Sequence, residues 1–184
     1  MEKILGQQPA DCQRIVLFGP ESTGKTTLAE QLALHFNTQW VPEYMRSHLQ
    51  QKWDITKELI SKEDLMPIAV GQMELENATS LKTNRFLFCD TNLRQLKVYC
   101  KYYYGNCPKA ILEAVELHSY DHYFLTSIEV PWEADDLRDR PYDRSTLFRM
   151  FEAELQEHRL PYTQLVGNEK EQLQLAIQTL EGRK

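Results

Sequence analysis

Residues 19–26 read Gly19-Pro20-Glu21-Ser22-Thr23-Gly24-Lys25-Thr26, a glycine, four variable positions and then Gly-Lys-Thr. Residue types in this order do polyphosphate chemistry. The glycines allow backbone conformations that turn successive N–H groups inward around phosphate oxygens. A helix starting at Lys25 would add the positive end of its dipole. Lys25 can then bridge the β- and γ-phosphates of ATP, and the Thr26 hydroxyl can ligate Mg²⁺. The pattern is the P-loop, and the segment from Gly19 to Thr27 is the expected ATP-binding loop.

Phosphoryl transfer needs more than this loop: a further carboxylate on the magnesium side and a group to orient or deprotonate the attacking hydroxyl. Asp90 ends the apolar run Arg85-Phe86-Leu87-Phe88-Cys89, and Glu43 lies two residues beyond Thr38-Gln39-Trp40-Val41. If both runs are strands of one parallel sheet, their C-terminal ends converge on the crevice beside the loop. Asp90 is the expected metal-side acid and Glu43 the expected base, with the two roles open to exchange. Arg138, Arg140 and Arg144, interspersed with Asp139 and Asp143, follow the fourth predicted strand, where a lid closing over phosphates would lie. Of these, Arg138 is the expected catalytic arginine. Gly167-Asn168, after the fifth strand, marks a turn whose backbone could approach adenine. The tyrosines at 99 and 102–104 are expected to pack rather than to stack on a base.

The elements that must position these residues follow from periodicity. Ile15 to Phe18 is a short run suited to a strand buried on both faces. Leu28, Ala29, Leu32, Ala33 and Phe36 then repeat at helical spacing from Lys25 to about His35. A strand over 38–41 ends at Pro42, and Ser61 with Asp64 forms a capping pattern for a helix reaching about Leu81. Further strands are expected over 85–89, 123–128 and 162–166, and further helices from Leu93 into the tyrosines, over 109–118, over 145–158 and over 169–180. The alternation implies α/β: a single P-loop NTPase domain on a five-stranded, mainly parallel sheet with helices on both faces, like nucleoside and nucleoside monophosphate kinases. Residues 1–13 read as an N-terminal extension and 14–184 as the kinase domain, with a lid over about 131–145.

Bulk properties narrow the partners. The 184 residues are 42% hydrophobic and 26% charged, with a formal net charge of −6. An acidic balance, with a pI near 5.4, argues against a broad nucleic-acid footprint, which needs a basic face. No apolar run approaches the roughly 20 residues of a membrane span, and Met1 to Gln13 has no signal-peptide pattern. The four cysteines fall outside any CxxC pair, as expected of reduced thiols in a cytoplasmic protein. The expected partner is a small nucleoside-type molecule, not nucleic acid or membrane.

Four stretches, in order, resemble the ribosylnicotinamide kinase domain of the NadR family: Phe18 to Ala29, Val41-Pro42-Glu43-Tyr44-Met45-Arg46, Cys89-Asp90-Thr91-Asn92-Leu93, and Pro131 to Arg138. The resemblance implies phosphorylation of the ribose 5′-hydroxyl of nicotinamide riboside by ATP. It places Glu43, Tyr44 and Arg46 in the riboside pocket, Asp90 at the metal and hydroxyl, and Trp132 and Asp136 near the pyridinium ring or lid. Aromatic faces and carboxylates both attract such a cation. The family's DTD-like motif reads Asp90-Thr91-Asn92 here, so its second acid is missing. Two other readings stand beside this one. A different nucleoside or nucleotide acceptor is possible, for which Arg46 and Arg94 could hold a phosphate. The other is a non-catalytic ATP sensor. A GTPase is poorly supported, since Gly167-Asn168-Glu169-Lys170 is not the guanine signature.

Overall fold

A computed structural model of the chain describes residues 4–83, 85–138 and 142–182. Five strands form one sheet in the order β2-β3-β1-β4-β5: β1 (Gln13–Phe18), β2 (Gln39–Val41), β3 (Phe86–Asp90), β4 (His122–Thr126) and β5 (Tyr162–Leu165). Every pairing is parallel, as runs without polar alternation imply for strands covered on both faces. Helices α1 (Lys25–His35), α2 (Tyr44–Thr56), α3 (Leu65–Ser80), α4 (Leu93–Tyr104), α5 (Lys109–Leu117), α6 (Arg144–Glu157) and α7 (Glu169–Glu181) complete the described fold. None of them is long and apolar enough to cross a membrane.

Alternation along β1 separates the two faces of the core. Ile15 and Leu17 pack with Leu28 and Leu32 of α1 and Leu180 of α7. Val16 and Phe18 pack on the other side, with Val98 of α4 and Phe151 of α6. A third cluster joins α3, α4 and α5 through Ile68, Met73, Leu96 and Ile111. Cys89 lies fully inside, as its apolar run implied.

The register brings the site together. Leu17 faces Asp90 across β1 and β3, Val41 faces Cys89 across β2 and β3, and Phe18 faces Leu125 across β1 and β4. The residues just beyond these ends therefore share one rim, at the point where strand order reverses on either side of β1.

Two local expectations change. Strand β4 runs over 122–126 rather than 123–128. Helix α2 is absent from the sequence reading, and the reason is compositional: Leu49 is its one fully buried residue, so it carries no apolar stripe for periodicity to find. The Ser61–Asp64 pattern does cap as expected, the Ser61 N–H donating to the Asp64 carboxylate at 2.8 Å. It opens a short 3-10 turn that runs on into α3.

Candidate active site

The phosphate loop is held from below by hydroxyls. Thr23 Oγ1 donates to the Pro20 carbonyl at 2.8 Å and lies 2.6 Å from Thr126 Oγ1, which itself donates to the Phe18 carbonyl at 3.2 Å. Gly19 (φ +142°) passes so close to this brace that a Cβ would stand 2.6 Å from Thr126 Oγ1. Glycine is thus required twice, by conformation and by space. Lys25 is 7% exposed and donates to the Pro20 carbonyl at 2.6 Å.

Behind the loop, the Thr26 hydroxyl donates to Asp90 Oδ2 at 2.5 Å. Asp90 is 1% exposed, and its Oδ1 is buried with no hydrogen-bond partner among the described residues. The chain leaves Asp90 through Thr91 at φ +73°, a left-handed conformation that β-branched residues rarely adopt. That turn delivers Asn92 as the cap of α4, its Oδ1 accepting from Gln95 N at 3.2 Å while its amide donates to the Tyr123 hydroxyl at 3.2 Å. The missing second acid of the resemblance is therefore replaced by an amide with structural duties.

Glu43 is half-buried just before α2, facing the cavity. Its surroundings are fixed by two glutamines. Gln72 accepts from Tyr44 N–H at 2.8 Å and donates to the Pro42 carbonyl at 3.3 Å, clamping the backbone on both sides of Glu43. Gln95 Nε2 donates to Glu43 Oε1 at 3.2 Å. Gly71 lets the start of α2 approach α3, since a Cβ there would meet the Tyr44 ring at 2.3 Å.

Lys25, Glu43 and Asp90 titrate as one cluster. Burial pushes Lys25 down from its ordinary value, opposed by the carboxylates of Glu43, Asp90 and Glu21. Burial raises Asp90, opposed by Lys25 and the Thr26 hydroxyl. Burial and then the Asp90 charge raise Glu43 to about 7, against the pull of Lys25 and Arg46. Perturbed groups in a cleft mark a site with work to do. No group of three or more His, Cys, Asp or Glu able to hold a metal exists among the described residues. The unpaired Asp90 Oδ1 and the Thr26 hydroxyl do fit Mg²⁺, which takes few protein oxygens and completes its shell with water and phosphate.

A cavity of about 420 Å³ opens from this cluster. It is lined by Ser22, Lys25, Thr26 and Glu43, and by Met45, Leu49, Ile60 and Leu137, an apolar group that packs with the α3–α5 core. One wall is a stripe of α4, Gln95, Tyr99 and Tyr103, four residues apart and so on one helix face. The Tyr99 and Tyr103 rings stack, with centroids 6.1 Å apart and planes 25° apart.

The segment after β4 crosses above the loop. Glu133 N–H donates to Ser22 Oγ at 2.8 Å, and Arg144 Nη2 donates to the Ser22 and Val130 carbonyls, each at 2.9 Å. Asp135 joins this segment to α2: Arg46 reaches it with two donors at 3.2 and 2.8 Å, and Arg138 Nε at 3.0 Å. Burial alone would raise Asp135, but the Arg46 hydrogen bonds and the Leu137 N–H outweigh it and hold the carboxyl low.

Of the residues singled out in the sequence, Glu21, Ser22, Gly24, Lys25, Thr26 and Thr27 line the cavity, as do Glu43, Arg46 and Arg138. Gly19, Pro20, Thr23 and Asp90 form the structure behind them. Others are not cavity-lining. The Tyr44 ring is turned against Gly71, the Trp132 ring lies under the Arg144 guanidinium at 5.8 Å, and Asp136 sits in an adjacent turn. The Asn168 side chain caps α7, accepting from Lys170 N and Glu171 N at 3.0 and 3.1 Å. Arg94 departs furthest from expectation: it is buried in an ion pair with Glu154 at 2.7 Å, leaving it no reach to a phosphorylated acceptor. Asp139 and Arg140 lie outside the described residues. Sequence reasoning did not single out Met45, Leu49, Gln95 or Leu137 as site residues. The spacing of Gln95, Tyr99 and Tyr103 was the available signal, one that core packing produces equally often.

Comparison with known proteins agrees with this geometry. A family model described as an AAA domain matches residues 14–172. The trifunctional NAD biosynthesis/regulator protein NadR of Salmonella typhimurium is 28% identical over 131 residues, covering 71% of this chain and 32% of its own length. The chain thus spans about a third of the length of the curated relatives it matches. A NadR crystal structure in complex with NR superposes with a TM-score of 0.77 at 20% identity, over 93% of this chain and 51% of that one. A deoxyadenosine kinase from M. mycoides superposes with a TM-score of 0.66 at 16% identity, over 92% and 99% of the two chains.

Proposed function

The chain belongs to this family of AAA domains and is homologous to NadR, and on that premise we propose that it is an ATP- and Mg²⁺-dependent kinase phosphorylating the ribose 5′-hydroxyl of nicotinamide riboside. The observation that carries the kinase reading is the convergence of Lys25, Glu43 and Asp90 at the phosphate-loop end of a nucleoside-sized cavity. A loop for ATP alone needs no carboxylate raised to about 7 on the facing wall. A phosphoryl acceptor does, because a base works best with a pKa near the operating pH.

In this reading the loop N–H groups and Lys25 hold the β- and γ-phosphates. Lys25 leaves the Pro20 carbonyl for a phosphate oxygen, exchanging a neutral acceptor for a charged one. Thr26 and Asp90 would hold Mg²⁺, which would supply charge neutralisation to the phosphates. Glu43 accepts the acceptor's hydroxyl proton as that oxygen bonds to the γ-phosphorus and ADP leaves. Arg138, at the cavity wall, exchanges Asp135 for the transferring phosphate. Glu133 and Arg144, both tied to Ser22, keep water from the γ-phosphate.

For the acceptor, homology to NadR and the four matching stretches support nicotinamide riboside, and Tyr103, partly exposed at the cavity wall, offers an aromatic surface for a cationic ring. One observation favours a second reading. Part of the lining is apolar, Met45, Leu49, Ile60 and Leu137, which suits a neutral base equally well. A panel decides: ADP release with ATP, Mg²⁺ and nicotinamide riboside, set against adenosine, deoxyadenosine, thymidine and a no-acceptor control. Nicotinamide riboside giving no more ADP than the control sinks the first reading. Silence across the panel with ATP still bound turns the protein into a nucleotide sensor.

A further inference from the structure

Gln95 lies in the first turn of α4, three residues beyond its cap, and is 2% exposed. The two ends of its amide are treated differently. Nε2 donates to Glu43 Oε1, whereas Oε1 is buried with no hydrogen-bond partner among the described residues. The ionised Glu43 carboxylate selects this orientation, since the flipped amide would set oxygen against oxygen. A buried amide oxygen without a donor is costly, and such atoms in folded proteins call for a reason.

Two spaces adjoin Gln95. A void bordered by Gln72, Asn92 and Gln95 measures about 10 Å³, the lower limit of the roughly 10–15 Å³ that one water occupies. The other is the 420 Å³ cavity. Along α4, Tyr99 and Tyr103 follow Gln95 on the same face of the helix, the Tyr99 hydroxyl reaching back to the Glu21 backbone in the phosphate loop. A molecule whose reacting hydroxyl meets Glu43 would bring its next polar group to Gln95, which is hydrogen-bonded to that carboxylate.

We propose that Gln95 Oε1 accepts a hydrogen bond from a second hydroxyl of the phosphoryl acceptor, so that one side chain both positions the base and selects polyol acceptors such as furanosides. This rests on the kinase reading above and deepens it. An acceptor lacking that hydroxyl leaves Oε1 unpaired in a closed site, the situation in which binding sites discriminate most sharply.

The test uses the best acceptor of the panel with its 2′-deoxy and 3′-deoxy analogues, on the wild type, Gln95→Met and Gln95→Glu. Methionine keeps the length and suits a helix, and the glutamate variant keeps an acceptor oxygen while losing the donor to Glu43. The wild type is expected to lose about 10- to 100-fold in kcat/KM on one deoxy analogue. In Gln95→Met that penalty shrinks to within about threefold while ATP affinity holds. In Gln95→Glu the penalty persists and the pH profile moves upward, because two neighbouring carboxyls share a proton. A deoxy penalty undiminished in Gln95→Met overturns the proposal and assigns Oε1 to a water. A ¹³C titration of Glu43 without any ligand separates the two halves. Loss of the Nε2 donor should raise its midpoint in Gln95→Met, and an unchanged midpoint overturns the positioning role. If no furanoside is phosphorylated, the kinase reading fails and the acceptor half fails with it, while the Glu43 midpoint still decides the other half.

Discussion

At the phosphate end of the cleft, the loop residues run consecutively from Gly19 to Thr26, and much of what they present is backbone. At the acceptor end, Glu43 precedes α2, Gln95 and Tyr99 ride on α4, Arg46 sits in α2 and Leu137 belongs to the segment after β4. The first end is local in sequence and tolerant of what surrounds it, because N–H groups and one lysine recognise any triphosphate tail. The second is assembled across the fold from side chains, held by Gln72, Gly71 and the Asp135 bridge. A cleft built this way can change its acceptor by drift in a few side chains while its donor chemistry stays put.

That contrast predicts which substitutions spare ATP and which do not. Glu43→Gln should lower kcat by about 10²–10⁴-fold with ATP affinity unchanged in a calorimetric titration; equal activity would remove Glu43 from the chemistry. In the wild type, kcat/KM should rise with pH through about 7 as the Glu43 carboxyl ionises. Lys25→Met should cost roughly 10²–10³-fold for every acceptor alike, the mark of a donor-side residue. Gly71→Ala drives a methyl into the Tyr44 ring and shifts the start of α2. Acceptor KM should rise about tenfold while ATP binding stays within about twofold, and a parallel loss of ATP affinity would break the comparison.

Smaller effects sharpen it. Asp135→Ala frees Arg46 and Arg138 from a half-exposed bridge, so acceptor KM should change by no more than about fivefold, less at high salt. Last is a stability effect. Glu43 holds its proton to higher pH in the folded chain than the ordinary 4.5 allows, so the folded state loses stability as pH rises from 4.5 towards 7. Glu43→Gln escapes that loss. Its Tm should exceed the wild type's by about 2–4 °C at about pH 8, and the gain should vanish near pH 4.

The phosphate loop and the strands behind it were legible because their signals are local: a fixed spacing around Gly19 and Gly24, and apolar runs such as Leu87-Phe88-Cys89 that suit a strand covered on both faces. Asp90 and Glu43 were legible for the same reason, as acids just past strand ends. Helix α2 was not, since a helix with one fully buried residue leaves almost no periodic trace. Arg94 and Tyr103 show the limit from the other side. Both lie on α4, and nothing in the residue types says that the arginine turns inward to Glu154 while the tyrosine faces the cavity.

By itself the sequence determined a phosphate-loop motif at Gly19 to Thr26 on an α/β frame, because backbone geometry and hydrophobic period are written residue by residue. Tertiary structure alone decided the acceptor side. The parallel register set Glu43, Lys25 and Asp90 within one electrostatic cluster and raised the glutamate towards 7. The packing of α4 left one amide oxygen of Gln95 without a donor among the described residues. Burial and mutual charge belong to distances across the fold, and no spacing along the chain contains them.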